Sequence, residues 1–304
     1  MPSELAQNKA WDGKSRGGSL GHRIFIFLLQ SFGLRAAYFL LAFVAFWFAL
    51  FARKGAKAQY HLFRKRLNFS LFKTLWYVYK NHFRFGQILI DKIAIFSGMA
   101  HKFRFEHHNA EFIEAMIQNK TGGILLNAHI GSWEAAGELL KKYGGTIHIV
   151  MVQKEHEQIR QHLEKLQTER QIKIIPIKEN GEHLFAIRKV LMNKGIIAMH
   201  GDRFLEGNAT LEHDFLDKTA KFPAGPFHLA AQYGVPVSFA TAFRQSGRRY
   251  IFYAMKPFYV KKKANIKDRK IEIFNQSKLY VQALENKIKE YPLQWFNYYN
   301  FWKQ

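Results

Sequence analysis

The sequence predicts an α/β protein in which a mixed sheet is flanked by helices and preceded by one hydrophobic N-terminal helix. Two observations support this fold class. From about residue 121, short apolar runs alternate with helical patterns, an order typical of a sheet covered by helices. Before that region lies a long apolar stretch, residues 24–52, whose second half carries no charge. A chain of 304 residues is long enough for one large domain with appendages.

The composition describes a basic protein with abundant apolar side chains. Hydrophobic residues make up 48% of the chain and aromatic residues 16%, enough to fill a core and to leave apolar surface for lipid. The 46 Lys and Arg outnumber the 23 Asp and Glu, so the formal charge is +23. This excess favours an anionic partner, whether phospholipid headgroups, nucleic acid or an acidic protein. The absence of cysteine excludes disulfides, thiolate nucleophiles and cysteine-containing zinc sites.

Three regions are predicted along the chain: a polar, glycine-rich arm (1–23), a membrane anchor (24–54) and a catalytic domain (55–304). As a helix, the uncharged run 36–52 is roughly 25 Å long, near the minimum for a membrane span. Positive residues flank it on both sides, so full crossing and shallow insertion with both ends on one side are equally compatible. A buried core helix is the alternative. The run starts too late for a secretory signal peptide.

A second segment, residues 60–69, mixes basic and apolar side chains. It is predicted to be an amphipathic helix. Such a helix either lies on an anionic bilayer surface or is an ordinary solvated helix face.

The region after residue 121 is divided into strands and helices by its apolar pattern. Strands are predicted over 123–127, 146–152, 172–177, 195–199 and 235–242. Helices are predicted over 133–142, 158–171, 183–193 and 226–233. In α/β sheets, functional sites gather beyond the carboxyl ends of the strands. His129 and Asp202 both follow directly after a predicted strand, which makes them candidate site residues.

His129 lies in the segment Asn127-Ala128-His129-Ile130-Gly131-Ser132-Trp133-Glu134. Ser132 is a natural N-cap for the next helix, and Glu134 then lies in its first turn, within reach of the imidazole. A carboxylate on one ring nitrogen fixes the tautomer, and the other nitrogen can take a proton from a hydroxyl. The pattern therefore indicates general-base chemistry without a covalent enzyme intermediate. A purely structural His–Glu pair is the alternative.

His129 and Glu134 match the H-x4-D/E signature of lipid acyltransferases, and the segment around them resembles the lipid A late acyltransferase family. That family adds secondary acyl chains to lipopolysaccharide precursors. Further segments resemble its later blocks in the same order: Lys194-Gly195 with Asp202, His213–Leu216 with Phe222–Pro226, and the closing Pro292-Leu293-Gln294-Trp295.

The resemblance implies a glycerol-phosphate acyltransferase-like fold on the bacterial inner membrane, with the catalytic domain facing the cytoplasm. The implied donor is acyl carrier protein or acyl-coenzyme A, and the implied acceptor is a lipid or glycolipid. By the family pattern, His129 is the base and Glu134 orients it. Asp202 and Arg203 shape the site, and Arg170 loosely matches a residue that holds substrate phosphate or the oxyanion. Asn127 and Ser132, beside His129, complete the predicted substrate-binding residues; no cofactor or metal is implied.

The chain end departs from the family pattern, because Trp295 is followed by Phe296-Asn297-Tyr298-Tyr299-Asn300-Phe301-Trp302 and not by an Arg-Trp pair. This ending resembles a divergent branch associated with aryl polyene lipid clusters, so the acceptor is expected to be lipid A-like or an aryl polyene lipid. A lysophospholipid or amino-acid-lipid O-acyltransferase and a non-catalytic membrane scaffold remain alternatives. No helix-turn-helix, RNP or zinc pattern supports a nucleic-acid binder. His107-His108 and His200-Gly201-Asp202 lack the H-E-x-x-H spacing of a metal site.

Overall fold

The structure, a computed structural model, describes residues 19–132, 146–152, 172–178, 180–205 and 207–303. Within these residues the predicted fold class is confirmed, because a mixed sheet lies between layers of helices and an apolar helix precedes it. The described α-helices are α1 (Ser19–Ser31), α2 (Gly33–Phe51), α3 (Arg53–His61), α4 (Leu71–Phe96), α5 (Glu111–Gln118), α6 (Glu182–Met192), α7 (Gly225–Tyr233) and α8 (Ile266–Glu290).

The described strands are β1 (Arg104–His108), β2 (Gly123–Asn127), β3 (Ile147–Val152), β4 (Ile172–Ile177), β5 (Ile196–His200), β6 (Thr210–Asp214), β7 (Thr219–Pro223), β8 (Pro236–Arg244), β9 (Arg249–Ala254) and β10 (Phe258–Tyr259). The main sheet has the order β1-β9-β8-β2-β5-β3-β4, and β10 also pairs with β8. Strands β8, β2, β5, β3 and β4 run parallel, whereas β9 is antiparallel to β8. Strands β6 and β7 form a separate hairpin.

The sequence located the central strands well. Strands β2 and β4 have the predicted bounds, and β3, β5 and β8 differ from their predictions by one or two residues at either end. Helices α6 and α7 each begin one residue before their predicted starts. The predicted helices 133–142 and 158–171 lie outside the described residues.

Two apolar cores cover opposite faces of the sheet, because side chains alternate between the faces along each strand. In β2, Ile124 and Leu126 belong to the core packed against α6, α7 and α8. Leu125 belongs to the other core, which includes apolar side chains of α1, α2, α4 and α5. The hydrophobic N-terminal helices therefore form part of the layer that covers one face of the sheet.

The apolar stretch at the N-terminus forms two helices because the chain breaks between them at Gly33, whose φ of +77° suits glycine. Among the described helices, α2 alone is long and apolar enough to cross a membrane, by length and composition. Its buried side chains Leu34, Ala37, Leu41 and Ala45 share one face of the helix. That face packs on α4, where a Cβ on Gly86 would lie 2.2 Å from Leu41 Cδ1. A glycine at this position lets the two helices approach closely. The boundary predicted after residue 54 stays a prediction.

The predicted amphipathic segment 60–69 is helical only as far as residue 66, with Arg64 and Lys65 exposed. Helix α3 ends at His61, and residues 62–66 form one π-helical turn. Leu62 and Phe63 are fully buried in the core, and Arg66 donates to the carbonyl oxygens of Leu216 and Asp217. The apolar side chains of this segment pack inward because tertiary contacts to the β6–β7 turn hold it against the domain.

A buried carboxylate ties the N-terminal helices to the sheet. Asp91 of α4 accepts hydrogen bonds from Arg244 Nε at 2.6 Å and from Tyr250 Oη at 2.7 Å. It also accepts one from the Tyr38 hydroxyl of α2. The Asp91 side chain is fully buried and that of Arg244 is 5% exposed. Because an unpaired charge is costly to bury, each partner depends on the other.

We expect Asp91→Ala to lower the free energy of unfolding by about 3–5 kcal/mol, because Arg244 would remain buried without its counter-charge. Thermal or urea unfolding in detergent measures the change. Glu212→Ala is the matched control, since Glu212 forms an exposed contact with Lys221 and should leave the midpoint unchanged. Equal stability of the two variants would show that the Asp91 cluster contributes little.

Candidate active site

The parallel pairing of β2 with β5 brings His129 and Asp202 together. Asn127, the last residue of β2, lies opposite His200, the last residue of β5. His129 and Asp202 each follow two residues later, at the carboxyl edge of the sheet. The sequence predicts that both residues follow directly after strands. The structure makes them neighbours although 73 positions separate them.

Asp202 holds His129 through two hydrogen bonds. His129 Nδ1 lies 2.9 Å from Asp202 Oδ1, and the His129 backbone N–H donates to Asp202 Oδ2 at 2.8 Å. The Asp202 side chain is 1% exposed, whereas 20% of the His129 side chain is exposed. Because a carboxylate oxygen accepts, Nδ1 carries the ring proton and Nε2 is left with its lone pair. The ring is thus fixed in the tautomer that a general base requires.

The charge states fit this tautomer. Burial lowers the pKa of His129 below its usual value, and the nearby Arg203 lowers it further, against the raising effect of Asp202. Burial alone would raise the pKa of Asp202, but the charges and hydrogen bond of His129, with His200 and Arg203, hold it well below its usual range. At neutral pH the pair is therefore a carboxylate beside a neutral imidazole.

The side chains of Asn127 and Tyr280 shape the turn that carries His129. The Asn127 side-chain oxygen accepts from the Ala128 N–H at 2.7 Å, so this predicted substrate-binding residue shapes the turn. The Asn127 carbonyl accepts from Tyr280 Oη and from the Gly201 N–H. A Cβ on Gly201 would lie 2.7 Å from the Tyr280 ring, so glycine allows the β5 turn to pass over that ring. Tyr280 had no recognisable signal in the sequence.

The closing Pro-x-Gln-Trp segment clamps the other side of the His129 turn. The His129 carbonyl accepts from the Phe296 N–H at 2.7 Å, and the Gly131 N–H donates to the Gln294 carbonyl at 2.9 Å. The Gln294 side chain makes two hydrogen bonds to the Arg244 backbone, each 2.9 Å long. Trp295 is 1% exposed. This family-like motif therefore supports the catalytic turn through its backbone and the Gln294 amide.

Other predicted residues occupy defined positions around the pair. Ser132 is buried, and its N–H donates to the Ala242 carbonyl of β8 at 2.7 Å. The Arg203 guanidinium lies over the Tyr299 ring, 5.5 Å from its centroid. Glu134 and Arg170 lie outside the described residues, so their predicted roles stay predictions. Of the residues that the structure describes, Asp202 is the carboxylate on the His129 ring.

The block that includes His213 forms the β6–β7 hairpin. His213 Nε2 and Ser277 Oγ form a buried 2.8 Å hydrogen bond, and Phe222 is fully buried. Residues 222–225 end β7 and lead directly into α7. This block therefore packs the hairpin onto α8.

A metal ion is chemically compatible with part of the site. The rings of His129 and His200 stack with centroids 4.2 Å apart. One ligand atom from each of His129, His200 and Asp202 lies within 4.8 Å of the others. Two imidazoles and a carboxylate are a set that binds Zn²⁺ or Fe²⁺. The same groups suffice as a hydrogen-bonded acid–base pair. The sequence shows His200 beside Asp202, but nothing in it indicates that His129 joins them.

Comparison with known proteins gives the class of this chain. The model of the bacterial lipid A biosynthesis acyltransferase family matches residues 77–304. The protein is therefore an acyltransferase that acts on lipids. It belongs to the bacterial lipid A biosynthesis acyltransferase family. None of the curated proteins is significantly similar to it.

Among solved structures, the chain is similar to the 1-acyl-sn-glycerophosphate (LPA) acyltransferase PlsC from Thermotoga maritima. The two share 15% identity with a TM-score of 0.35, and the match covers 82% of this chain and 97% of the other. The likeness is a loose one.

We expect the pKa of His129 to lie below 6.5, with the proton of the neutral ring on Nδ1. Because the Asp202 charge favours the imidazolium, Asp202→Asn should lower the pKa of His129 further. Nitrogen–proton correlation NMR across a pH series measures both, with the His129 signals assigned from a His129→Gln sample. The pKa of His213, whose ring contacts Ser277, should stay constant in Asp202→Asn. A higher His129 pKa in that variant would contradict the pairing.

Proposed function

We propose that this protein transfers a fatty acyl chain from a thioester to a hydroxyl of a lipid acceptor at a membrane surface, with His129 as general base. The observation that carries the proposal is the 2.9 Å contact between His129 Nδ1 and Asp202 Oδ1 at the carboxyl edge of the sheet. It leaves Nε2, on a partly exposed side chain, free of the carboxylate. The family of the chain supports acyl transfer to lipid as the reaction.

In the proposed reaction, His129 Nε2 takes the proton of the acceptor hydroxyl as its oxygen attacks the thioester carbonyl carbon. The new C–O bond forms, and the carbonyl oxygen carries the negative charge of the tetrahedral intermediate. The C–S bond then breaks, and the leaving thiolate receives the proton from His129. Asp202 stays ionised throughout and stabilises the imidazolium between the two proton transfers. No covalent enzyme intermediate is required.

The proposed donor is acyl carrier protein, with acyl-coenzyme A as the second candidate. The net charge of +23 favours both, because acyl carrier protein is acidic and coenzyme A carries phosphates. The proposed acceptor is a lipid A-like glycolipid or an aryl polyene lipid, and a lysophospholipid or amino-acid lipid would require the same base. Such donors are cytoplasmic molecules, so we place the protein on the inner membrane with its site facing the cytoplasm.

An apolar face on the N-terminal helices supports the membrane location. It consists of exposed side chains of α2 and of the first turns of α4: Phe39, Phe43, Phe46, Trp47, Leu50, Phe51, Leu71, Phe72, Leu75 and Trp76. Exposed apolar surface of this extent marks contact with lipid or with another protein. Arg64, Lys65 and Lys73 lie near it in the sequence and carry the charge that anionic lipid attracts.

The packing of α2 favours shallow insertion over a full crossing. Helix α2 packs antiparallel to α4. Three pairs of residues show this direction, with the α2 residue first in each: Tyr38 with Asp91, Leu41 with Gly86 and Phe46 with Tyr79. Helix α4 is in turn bound to the catalytic domain, for example through Asn81 Nδ2 and the carbonyl oxygens of Leu293 and Trp295. A helix packed along the domain in this way presents one face to lipid and cannot be surrounded by it.

We expect His129→Ala to reduce acyl transfer by about 10²–10⁴-fold, the usual contribution of a general base. The assay supplies purified enzyme with acyl carrier protein thioester and candidate lipid acceptors, and mass spectrometry detects the acylated product. His101→Ala is the matched control, because His101 is exposed and lies outside the site. Full activity of His129→Ala would overturn the proposed mechanism.

Two further measurements separate the alternatives at the same site. Asp202→Asn should lose activity, and Glu134→Gln should lose less if Asp202 alone orients the ring; the reverse order would assign the orienting role to Glu134.

Dialysis against EDTA should leave the rate unchanged. A loss that added Zn²⁺ restores would instead identify His129, His200 and Asp202 as a metal centre.

We expect the double substitution Phe39→Ser and Phe43→Ser to weaken binding to anionic vesicles at least about tenfold, because both lost side chains contribute apolar burial in the bilayer. Flotation with phosphatidylglycerol vesicles measures the bound fraction. Phe185→Ser is the matched control, since Phe185 is 75% exposed on α6, which covers the opposite side of the sheet. Equal binding of the double variant and the wild type would show that the apolar face does not contact lipid.

A further inference from the structure

A basic cleft opens between the N-terminal helices and the carboxyl end of β8. Its volume is about 550 Å³, within the range of ligand-binding pockets. Five basic residues line it: Arg35 of α2, Lys80 and Arg84 of α4, Arg244 at the end of β8 and Arg248 in the following turn. None of its lining residues in the described part of the chain is acidic.

Only one of these charges is balanced within the described residues. Arg244 is paired with the buried Asp91, directly behind the cleft. Arg35, Arg84 and Arg248 form no ion pair with a carboxylate in the part of the chain that the structure describes. The Lys80 ammonium stacks on the Trp76 ring, 5.0 Å from its centroid, which does not neutralise it. The cleft therefore concentrates about four uncompensated positive charges.

Arg84 is the residue of the cleft best suited to bind an anion. It is half-buried, and burial together with the nearby Arg244 lowers the pKa of its guanidinium against the raising effect of Asp91. An anion that accepts two hydrogen bonds stabilises a guanidinium that is partly withdrawn from water. Phosphate oxygens match the planar arrangement of the guanidinium N–H donors. Arg248, in the turn after β8, adds a second guanidinium to the lining of the same cleft.

Besides the basic residues, the lining is mainly apolar, with Gln87 and Ser246 as its uncharged polar side chains. Leu34, Tyr38, Phe83 and Leu293 line the cleft beside the basic residues. Arg35 lies one helical turn before Phe39, whose side chain is 71% exposed at the start of the apolar face. A ligand that fits this lining carries a phosphate next to hydrocarbon.

We infer that the basic cleft binds the phosphate of a lipid headgroup, with Arg84 and Arg248 as the main phosphate ligands. The inference rests on the proposed function only in taking this lipid to be the acceptor, since binding needs neither His129 nor a thioester. The cleft and the catalytic turn are joined through Gln294, which bonds to Arg244 on one side and to Gly131 on the other. A phosphate held in the cleft would anchor a lipid beside the carboxyl edge where His129 lies.

The test measures binding of short-chain phosphatidic acid to the full-length protein in detergent by isothermal titration calorimetry. Arg84→Gln in α4 and Arg248→Gln in the turn after β8 should each weaken binding at least tenfold. Arg188→Gln, an exposed arginine of α6, is the matched control and should bind like the wild type. Short-chain diacylglycerol, which has the same tails without phosphate, should not bind measurably in the cleft. His129→Ala should bind phosphatidic acid normally while acyl transfer is lost, so the two proposals fail separately.

Inorganic phosphate distinguishes a lipid headgroup from free phosphate. It should bind much more weakly than phosphatidic acid, because it makes no contact with the apolar lining. Equal affinity for both would show a site for free phosphate and would overturn the lipid assignment. Unchanged binding in both arginine variants would overturn the cleft as the phosphate site. If Arg84→Gln unfolds, Arg84→Lys and Arg248→Gln replace it as the test. At an unchanged melting temperature, each should still weaken binding of phosphatidic acid.

Discussion

The parallel register of β2 and β5 is the constraint on which the candidate site depends. Because Asn127 lies opposite His200, two turns of equal length project His129 and Asp202 from the same edge to within hydrogen-bond distance. A shift of one residue between these strands would turn the alternating side chains of β2 toward the wrong faces of the sheet and separate the pair. The apolar cores on both faces hold the register, so the chemistry of the site is a product of sheet packing.

Much of this arrangement was predictable, and the limits have physical reasons. The alternation of apolar runs placed β2, β3, β4, β5 and β8, and it put His129 and Asp202 after strands. Strand order is a long-range property, so the sequence paired His129 with the nearby Glu134, whereas Asp202, 73 positions away, contacts the ring in the described structure. The contact between Asp91 of α4 and Arg244 was not predicted, because 153 positions separate the two residues. Tyr280 beneath the turn depends in the same way on packing that no local pattern records.

The N-terminal helices are more closely integrated than a separate anchor would be. Their buried side chains complete the core on one face of the sheet, and their exposed side chains supply the apolar face. The Asp91 cluster joins α2, α4, β8 and β9, and its Arg244 also lines the basic cleft. One set of buried charges thus fixes the position of the lipid-facing helices relative to the carboxyl edge of the sheet.

The clamp on the His129 turn has a consequence for biosynthesis. The His129 carbonyl and the Gly131 N–H find their hydrogen-bond partners in Phe296 and Gln294. Gln59 in turn donates to the carbonyl oxygens of Trp295 and Asn297. The chain must therefore be synthesised as far as Phe296 before the His129 turn can take its final form. Until then the nascent polypeptide carries apolar helices that can already meet the bilayer, but it has no assembled catalytic turn. Attachment to lipid would thus precede the onset of catalysis during the synthesis of each molecule.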